Sequence, residues 1–233
     1  AVGAGSLKTN TTGTQNTALG FGALEDCTTG SENTAIGIEA GRNLTTGDQN
    51  TAIGRNAMDG VVTGDENTAV GAQSMTACTS GAQNQAVGVY ALNSVTTGNY
   101  NCAFGYHTGV SITTGGGNVT IGHKAGDGIT TGSNNIAIGY EALTAAMAAS
   151  NNVVAIGYRA AYNTTAETNG VAIGYEALLT QTTVTGNTAV GHKALREATG
   201  GQNTAFGQEA GNDITTAHSA VLIGYNAGSK LTT

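Results

Sequence analysis

Four histidines, fifteen carboxylates, three cysteines and eight tyrosines are the side chains that could do chemistry in this 233-residue chain, and their spacing decides whether they can. His107, His123, His192 and His218 are scattered, and no His-Glu-x-x-His, Gly-x-Ser-x-Gly or P-loop string occurs. Glu141, Glu176 and Glu209 lie a repeat or more apart, too far for a general acid and base, and read as a solvated outer face. Asp48, Asp65 and Asp127 stand near glycines, but the Gly-Gly-x-Gly-x-Asp nonapeptide of calcium-binding rolls is missing. Cys27, Cys78 and Cys102 are odd in number, lack metal-like spacing and read as small buried hydrophobes. The chain is therefore not read as an enzyme, and no catalytic residue, metal ligand or cofactor is expected.

The elements that position these residues follow from composition and repetition. There are 37 glycines, no proline and no tryptophan, with 10% charged and 5% aromatic residues. Bulky side chains for a conventional core are scarce, and the Gly/Thr/Asn-rich mixture disfavours helices. Collagen is excluded by the absence of proline and the low glycine share. A net charge of −7 disfavours nucleic acid and anionic membranes as partners. No apolar run approaches the roughly 20 residues of a membrane span, so no membrane insertion is expected.

The string Asn-Thr-Ala-Ile-Gly, with variants, recurs from end to end. Its glycine falls at 3, 20, 37, 54, 71, 88, 105, 122, 139, 157, 174, 191, 207 and 224, and eleven of the thirteen spacings are 17 residues. The residue before this anchor is always bulky and apolar, and the residue two before it is alanine in twelve repeats. Four before lies asparagine in ten repeats of thirteen, and a second glycine often follows as Thr-Thr-Gly. Seventeen residues are too few for paired-helix repeats and suit one coil of a parallel β-solenoid, with β-branched strands and glycine corners. The fold expected is all-β: residues 1–233 form a single array of about fourteen coils, one 17-residue repeat per coil, in a rod of roughly 62 Å. Regular asparagines are expected to stack as an amide ladder.

Strand alternation sorts the motif into two faces. Asn, Ala and Gly point one way, into a thin interior, while Thr and the bulky residue point the other way. The outward column is Val2, Leu19, Ile36, Ile53, Val70, Val87, Phe104, Ile121, Ile138, Ile156, Ile173, Val190, Phe206 and Ile223. Such a stripe needs a partner, and a parallel homotrimer burying it along a common axis is the economical answer. The competing arrangement is a monomer with the bulky column inside its own coil. Tyr140, Tyr158 and Tyr175 follow their anchors in successive coils and form a candidate aromatic ladder, either packing or a strip for a surface receptor or glycan.

Strings such as Asn33-Thr34-Ala35-Ile36-Gly37 and Asn135-Ile136-Ala137-Ile138-Gly139 resemble the head repeats of trimeric autotransporter adhesins. The longer form in Gly139-Tyr140-Glu141-Ala142-Leu143 and Gly174-Tyr175-Glu176-Ala177-Leu178, with Thr-Thr-Gly, is similar to repeats in phage tail-fibre proteins. The resemblance implies a structural shaft or head segment of a fibre, on a virion or at a cell surface, with a role in host attachment. A bacterial adhesin and a head-to-tail extracellular filament are the alternatives. Ice binding would need a flat Thr-x-Thr array that the sequence lacks.

Three local expectations complete the reading. Cys27 and Cys78 share a column three coils apart, about 14 Å, so no intrachain disulfide is expected, and Cys102 replaces the outward Thr of its strand. The 18-residue spacing from Gly139 to Gly157 and the Ala-rich run Ala145–Ala149 predict irregularity near 142–170, including a single helical turn. Ala1 and Thr233 cut the array mid-coil, which predicts an excerpt of a longer fibre chain, with head-to-tail stacking as the other option.

Overall fold

The recurring motif forms a short strand because a small residue between two larger ones suits a sheet with one cramped face and one open face. A computed structural model of the chain describes residues 1–145, 149–164, 169–181 and 186–229. Its described residues contain strands, turns and bends and no helix. They form two compact units, Ala1–Gly117 and Asn118–Thr233, each a parallel β-solenoid.

Unit 1 carries β1 (Thr17–Leu19), β2 (Thr34–Ile36), β3 (Thr51–Ile53), β4 (Thr68–Val70), β5 (Gln85–Val87) and β6 (Cys102–Phe104). They pair in chain order, parallel and in register, so that Ala18 faces Ala35 and Ala35 faces Ala52. Unit 2 carries β7 (Val119–Ile121), β8 (Ile136–Ile138), β9 (Val154–Ile156), β10 (Asn163–Thr164), β11 (Val171–Ile173), β12 (Thr180–Gln181), β13 (Thr188–Val190), β14 (Thr204–Phe206) and β15 (Val221–Ile223). There β7, β8, β9, β11, β13, β14 and β15 pair in that order. Strands β10 and β12 form a separate parallel pair that the repeat pattern does not announce. It falls in the repeats after Gly157 and Gly174, two of those that lack the Thr-Thr-Gly turn.

The interior is filled by small residues and, in most coils, one long residue; the coil after Gly157 has Ala161 and Thr164 there instead. The middle strand alanines are buried, as are the asparagines that precede the strands, whereas the bulky residue before each anchor lies on the outer face, exposed or half-exposed. This arrangement is the reverse of a coil with its bulky column inside. Two further interior positions, four and seven residues after the anchor, exchange volume. Leu24 accompanies Cys27, Met75 accompanies Cys78 and Leu195 accompanies Ala198, whereas Gly41 accompanies Leu44, Gly109 accompanies Ile112 and Gly211 accompanies Ile214. A thin coil has room for one long side chain there, and close packing penalises both a void and a second long chain.

The asparagine ladder runs through the backbone more than from amide to amide. Asn33 Oδ1 accepts the Asn50 N–H at 2.8 Å, and Asn33 Nδ2 donates to the Gly47 carbonyl at 2.9 Å. Direct amide contacts occur only in places, as from Asn84 Nδ2 to Asn67 Oδ1 at 3.1 Å. A side chain that reaches both the next asparagine's N–H and the next turn's carbonyl leaves two buried backbone groups satisfied, which side-chain stacking alone would not.

Corners also depart from the expected glycine rule. Left-handed backbone falls mostly on other residues, such as Glu39 (φ 55) and Gln49 (φ 58). Cross-coil bonds hold them there: the Glu39 N–H donates to the Phe21 carbonyl at 2.8 Å and the Gln49 N–H to that of Ser31 at 3.0 Å. The Thr-Thr-Gly glycine is needed for space instead. A Cβ on Gly30 would lie 2.5 Å from the Gly47 carbonyl oxygen. At the anchor both demands meet: Gly37 has φ +134, and its Cβ would lie 2.8 Å from the Gly54 carbonyl oxygen.

Both unequal spacings are absorbed at one corner. In the long repeat the Ala145 N–H still bonds to the Tyr162 carbonyl at 2.8 Å, while Asn135 Nδ2 donates to the Ser150 carbonyl at 2.8 Å, where a regular repeat has glycine. The extra residue therefore lies between Ala145 and Ser150. In the short repeat Asn187 Nδ2 donates to the Gly200 carbonyl at 3.0 Å, so one threonine of the turn is gone. Residues 146–148 and 165–168, which include most of the Ala-rich run and the stretch Thr165–Glu167, lie outside the described residues.

Candidate functional surface

The outer strand face is the surface open to partners, because the interior is closed by alanine and asparagine. Register pairing places Leu19 against Ile36, Ile36 against Ile53 and, in unit 2, Ile138 against Ile156 and Ile156 against Ile173. The predicted stripe is thus one continuous column within each unit. Phe104 and Phe206 are both 59% exposed, and Ile223 is 71% exposed. The neighbouring outward column, two residues earlier, differs between units. It reads Thr17, Thr34, Thr51 and Thr68 on β1–β4, but Val119, Ile136, Val154 and Val171 on β7, β8, β9 and β11.

In-register pairing two residues upstream brings the three tyrosines together. The Tyr140 and Tyr158 rings stack at 5.4 Å with planes 10° apart, and Tyr158 and Tyr175 at 5.0 Å and 8°. Histidines extend the stack at both ends, His123 on Tyr140 at 5.0 Å and His192 on Tyr175 at 5.1 Å. From the sequence both histidines read only as scattered residues, because only the register shows that five rings are contiguous. Each tyrosine has a ring on both faces, so its exposed surface is ring edge and hydroxyl. A sugar needs an open ring face to stack on, and the middle of this ladder offers none.

Beside the rings runs a column of alternating charge: Lys124, Glu141, Arg159, Glu176, Lys193 and Glu209. Arg159 Nε sits 2.8 Å from Glu141 Oε2, and Arg196 Nε sits 3.0 Å from Glu176 Oε2. The two carboxylates are therefore largely covered and paired, not a solvated face as their spacing suggested. The Arg159 guanidinium also lies over the rings of Tyr158, at 5.3 Å, and Tyr162, at 4.9 Å. The charge of Glu141 pushes the Tyr140 hydroxyl pKa up, and desolvation with the charge of Glu176 does the same for Tyr175.

Cys27 and Cys78 are buried and all three cysteines are free. Cys27 Sγ donates to the Gly30 carbonyl at 3.5 Å, and Cys78 repeats the arrangement with Gly81 at 3.6 Å. Burial raises both thiols, Cys78 to about 11, so neither is poised as a nucleophile. Cys102 stands on the outer face of β6 and is half-exposed. Among the described residues no three His, Cys, Asp or Glu side chains group as a metal site, and no helix is long and apolar enough to cross a membrane.

Asp48 and Asp65 have a structural use. The Asp48 carboxylate accepts the Ser31 N–H at 2.7 Å, and that of Asp65 accepts the Asp48 N–H at 2.8 Å. Asn99 serves Ala82 in the same way at 2.7 Å, and Nδ1 of His218 serves Gly201 at 3.1 Å. This second ladder stitches one corner to the next.

No family model, no curated protein and no solved structure matches the chain. The functional reading therefore rests on the outer face itself: aliphatic columns, a ring stack seen edge-on and a paired charge border.

Proposed function

We propose that the chain is a structural segment of an extracellular fibre, in the first place a bacteriophage tail fibre, built as a parallel homotrimer. The observation that supports this reading is the in-register outward column, from Leu19 to Phe104 in unit 1 and from Ile121 to Ile223 in unit 2. Apolar surface left in water costs about 25 cal/mol per Å2, and here the same cost recurs on every strand. Association of copies removes it for all coils at once, and a three-fold arrangement along the strand-stacking direction lets each coil meet its equivalents. The fibre's role is length, stiffness and resistance to proteolysis, on a virion or at a cell surface, with a contribution to host attachment.

A bacterial surface adhesin, or an extracellular filament assembled head to tail, is the second reading. The feature that favours an adhesin is the row of exposed tyrosine edges and hydroxyls at Tyr140, Tyr158 and Tyr175, which a cell-surface receptor or glycan could meet from the side.

Sedimentation equilibrium of the full chain tests the assembly: three times the 23.0 kDa chain mass is expected, and a single-chain mass at all concentrations overturns it. Immunogold labelling with antibody to the chain tests the setting. Label on virion tail fibres is expected, and label on bacterial envelopes would transfer the reading to an adhesin.

A further inference from the structure

One buried backbone group in unit 2 has lost its partner, and a reactive side chain stands beside it. The corner before each strand carries a residue in left-handed backbone, followed by the ladder position. Asparagine fills that corner at Asn134 (φ 60), Asn152 (φ 59) and Asn169 (φ 57). After Asn134 the Asn135 N–H donates to Asn118 Oδ1 at 3.0 Å, and after Asn152 the Val153 N–H donates to Asn135 Oδ1 at 3.0 Å. One coil on, the ladder residue preceding Gly170 is Val153, whose side chain has no acceptor. Among the described residues nothing accepts the Gly170 N–H. Gly170 is buried, and a buried backbone N–H without a partner is rare in folded proteins. Asn169 is exposed, and Asn169-Gly170 is the only Asn-Gly pair in the sequence.

The backbone nitrogen that follows an asparagine can attack the side-chain amide, and glycine, lacking a Cβ, obstructs that attack least. In the ladder an acceptor holds this nitrogen in place; at Gly170 none does. Asn152 Nδ2 donates to Asn169 Oδ1 at 3.1 Å, which draws electron density from Cγ. We propose that Asn169 is a site of spontaneous deamidation, set apart from the other corner asparagines by the ladder acceptor missing at Val153. Hydroxide takes the Gly170 amide proton and the nitrogen bonds to Cγ of Asn169. The Cγ–Nδ2 bond breaks, and ammonia leaves with a proton from water, giving a succinimide and returning the hydroxide. Water then adds to one of the two ring carbonyls and the ring opens to aspartate or isoaspartate. Isoaspartate runs the backbone through the former side chain and lengthens the corner by one methylene. That corner is pinned by the Asn169 N–H on the Asn151 carbonyl at 3.1 Å and by the Val154 N–H on the Gly170 carbonyl at 2.9 Å, so the change loosens one coil from the next.

Peptide mapping by mass spectrometry of the full chain, kept folded or unfolded in urea at pH 8, tests the proposal. Deamidation adds about one dalton, and electron-transfer fragmentation separates aspartate from isoaspartate. Comparing each asparagine with itself in the unfolded chain removes the intrinsic ease of an Asn-Gly pair. Folding is expected to slow deamidation of Asn134 by about 100-fold or more, and that of Asn169 by less than about tenfold. Equal protection of the two overturns the proposal. Val153→Asn supplies an acceptor for the Gly170 N–H and is expected to slow Asn169 in the folded chain by about tenfold, with the rate in urea unchanged. An unchanged folded rate in that variant, with wild-type far-UV circular dichroism, overturns the part assigned to the missing acceptor. Amide hydrogen exchange of the wild-type chain reads the same group without a substitution. The Gly170 N–H is expected to exchange at least about tenfold faster than that of Asn135, and equal exchange overturns the proposal.

Discussion

Units 1 and 2 share a coil and differ in what they show to solvent. Both bury the strand alanine, most of the preceding asparagines and, in most coils, one long side chain. Unit 1 keeps nearly perfect 17-residue spacing, outward threonines and an acidic surface. Unit 2 contains both unequal spacings, loses the asparagine at Val153, Gly170 and Ala220, and replaces outward threonine by valine or isoleucine on β7, β8, β9, β11 and β15, keeping it on β13 and β14. Where asparagine is first lost the ladder ends with the Val153 N–H donating to Asn135 Oδ1 at 3.0 Å. The interior therefore acts as a template that tolerates a residue more or less at one corner, while the outward columns are free to diverge and so carry whatever distinguishes the units.

The sharpest test of a shared interior is the anchor glycine. Gly54→Ala in unit 1 and Gly174→Ala in unit 2 both force a left-handed residue and drive a Cβ into the backbone of the next coil. Each is expected to cost about 3–5 kcal/mol in urea unfolding. A difference between them well above 1 kcal/mol would break the equivalence of the two interiors.

Next in size is the volume exchange. Leu92→Ala is expected to cost about 2–4 kcal/mol, because Val95 cannot fill the space left in its coil. Gly41→Leu alone should overpack the interior, where a Cβ at Gly41 already meets Leu24 at 3.2 Å, whereas Gly41→Leu with Leu44→Ala should recover more than half of the loss. A double-mutant cycle showing simple additivity would refute the exchange.

All three cysteines lie in unit 1, which gives that unit its own alkaline weakness. Folding raises the Cys78 thiol from its ordinary 9.0 to about 11, so above pH 9 the unfolded chain loses a proton that the native chain keeps. Stability is unchanged by this group below pH 9, falls as pH rises to 11, and levels off above that, a loss of at most about 3 kcal/mol. Urea unfolding of wild type and Cys78→Val across that window should differ in slope; parallel curves would contradict the burial. Alkylation at pH 8 should label Cys102 at least about tenfold faster than Cys27 or Cys78.

The smallest effect concerns the ring stack. Tyr158→Ala removes two ring contacts and the Arg159 interaction and should cost about 1–2 kcal/mol, while Tyr158→Phe should be close to neutral. Equal losses from both substitutions would shift the stabilisation from the rings to the hydroxyl.

Much of the coil was legible because a repeat states its constraints many times over. The anchor glycine, the alanine two before it and the asparagine four before it each occupy one column, and columns translate directly into in-register stacking. The exchange between Leu24 with Cys27 and Gly41 with Leu44 was equally present in the letters, but it becomes meaningful only when both positions are seen to point into one narrow interior. The burial of Glu141 was not legible, since its partner Arg159 lies 18 residues on and reaches back across a coil whose spacing is itself irregular.

By itself the sequence determined the period, the strand motif and which face of each strand is small, because those depend on local sterics and two-residue alternation. Tertiary structure decided the rest. It showed that left-handed corners fall on Glu39 and Gln49, where cross-coil hydrogen bonds offset the steric cost that would otherwise reserve them for glycine. It also showed that the asparagines bond to backbone, and that His123 and His192 close a stack of five rings. These outcomes depend on the height and lateral offset of one coil on the next, which a linear sequence does not contain and which backbone pairing between coils sets.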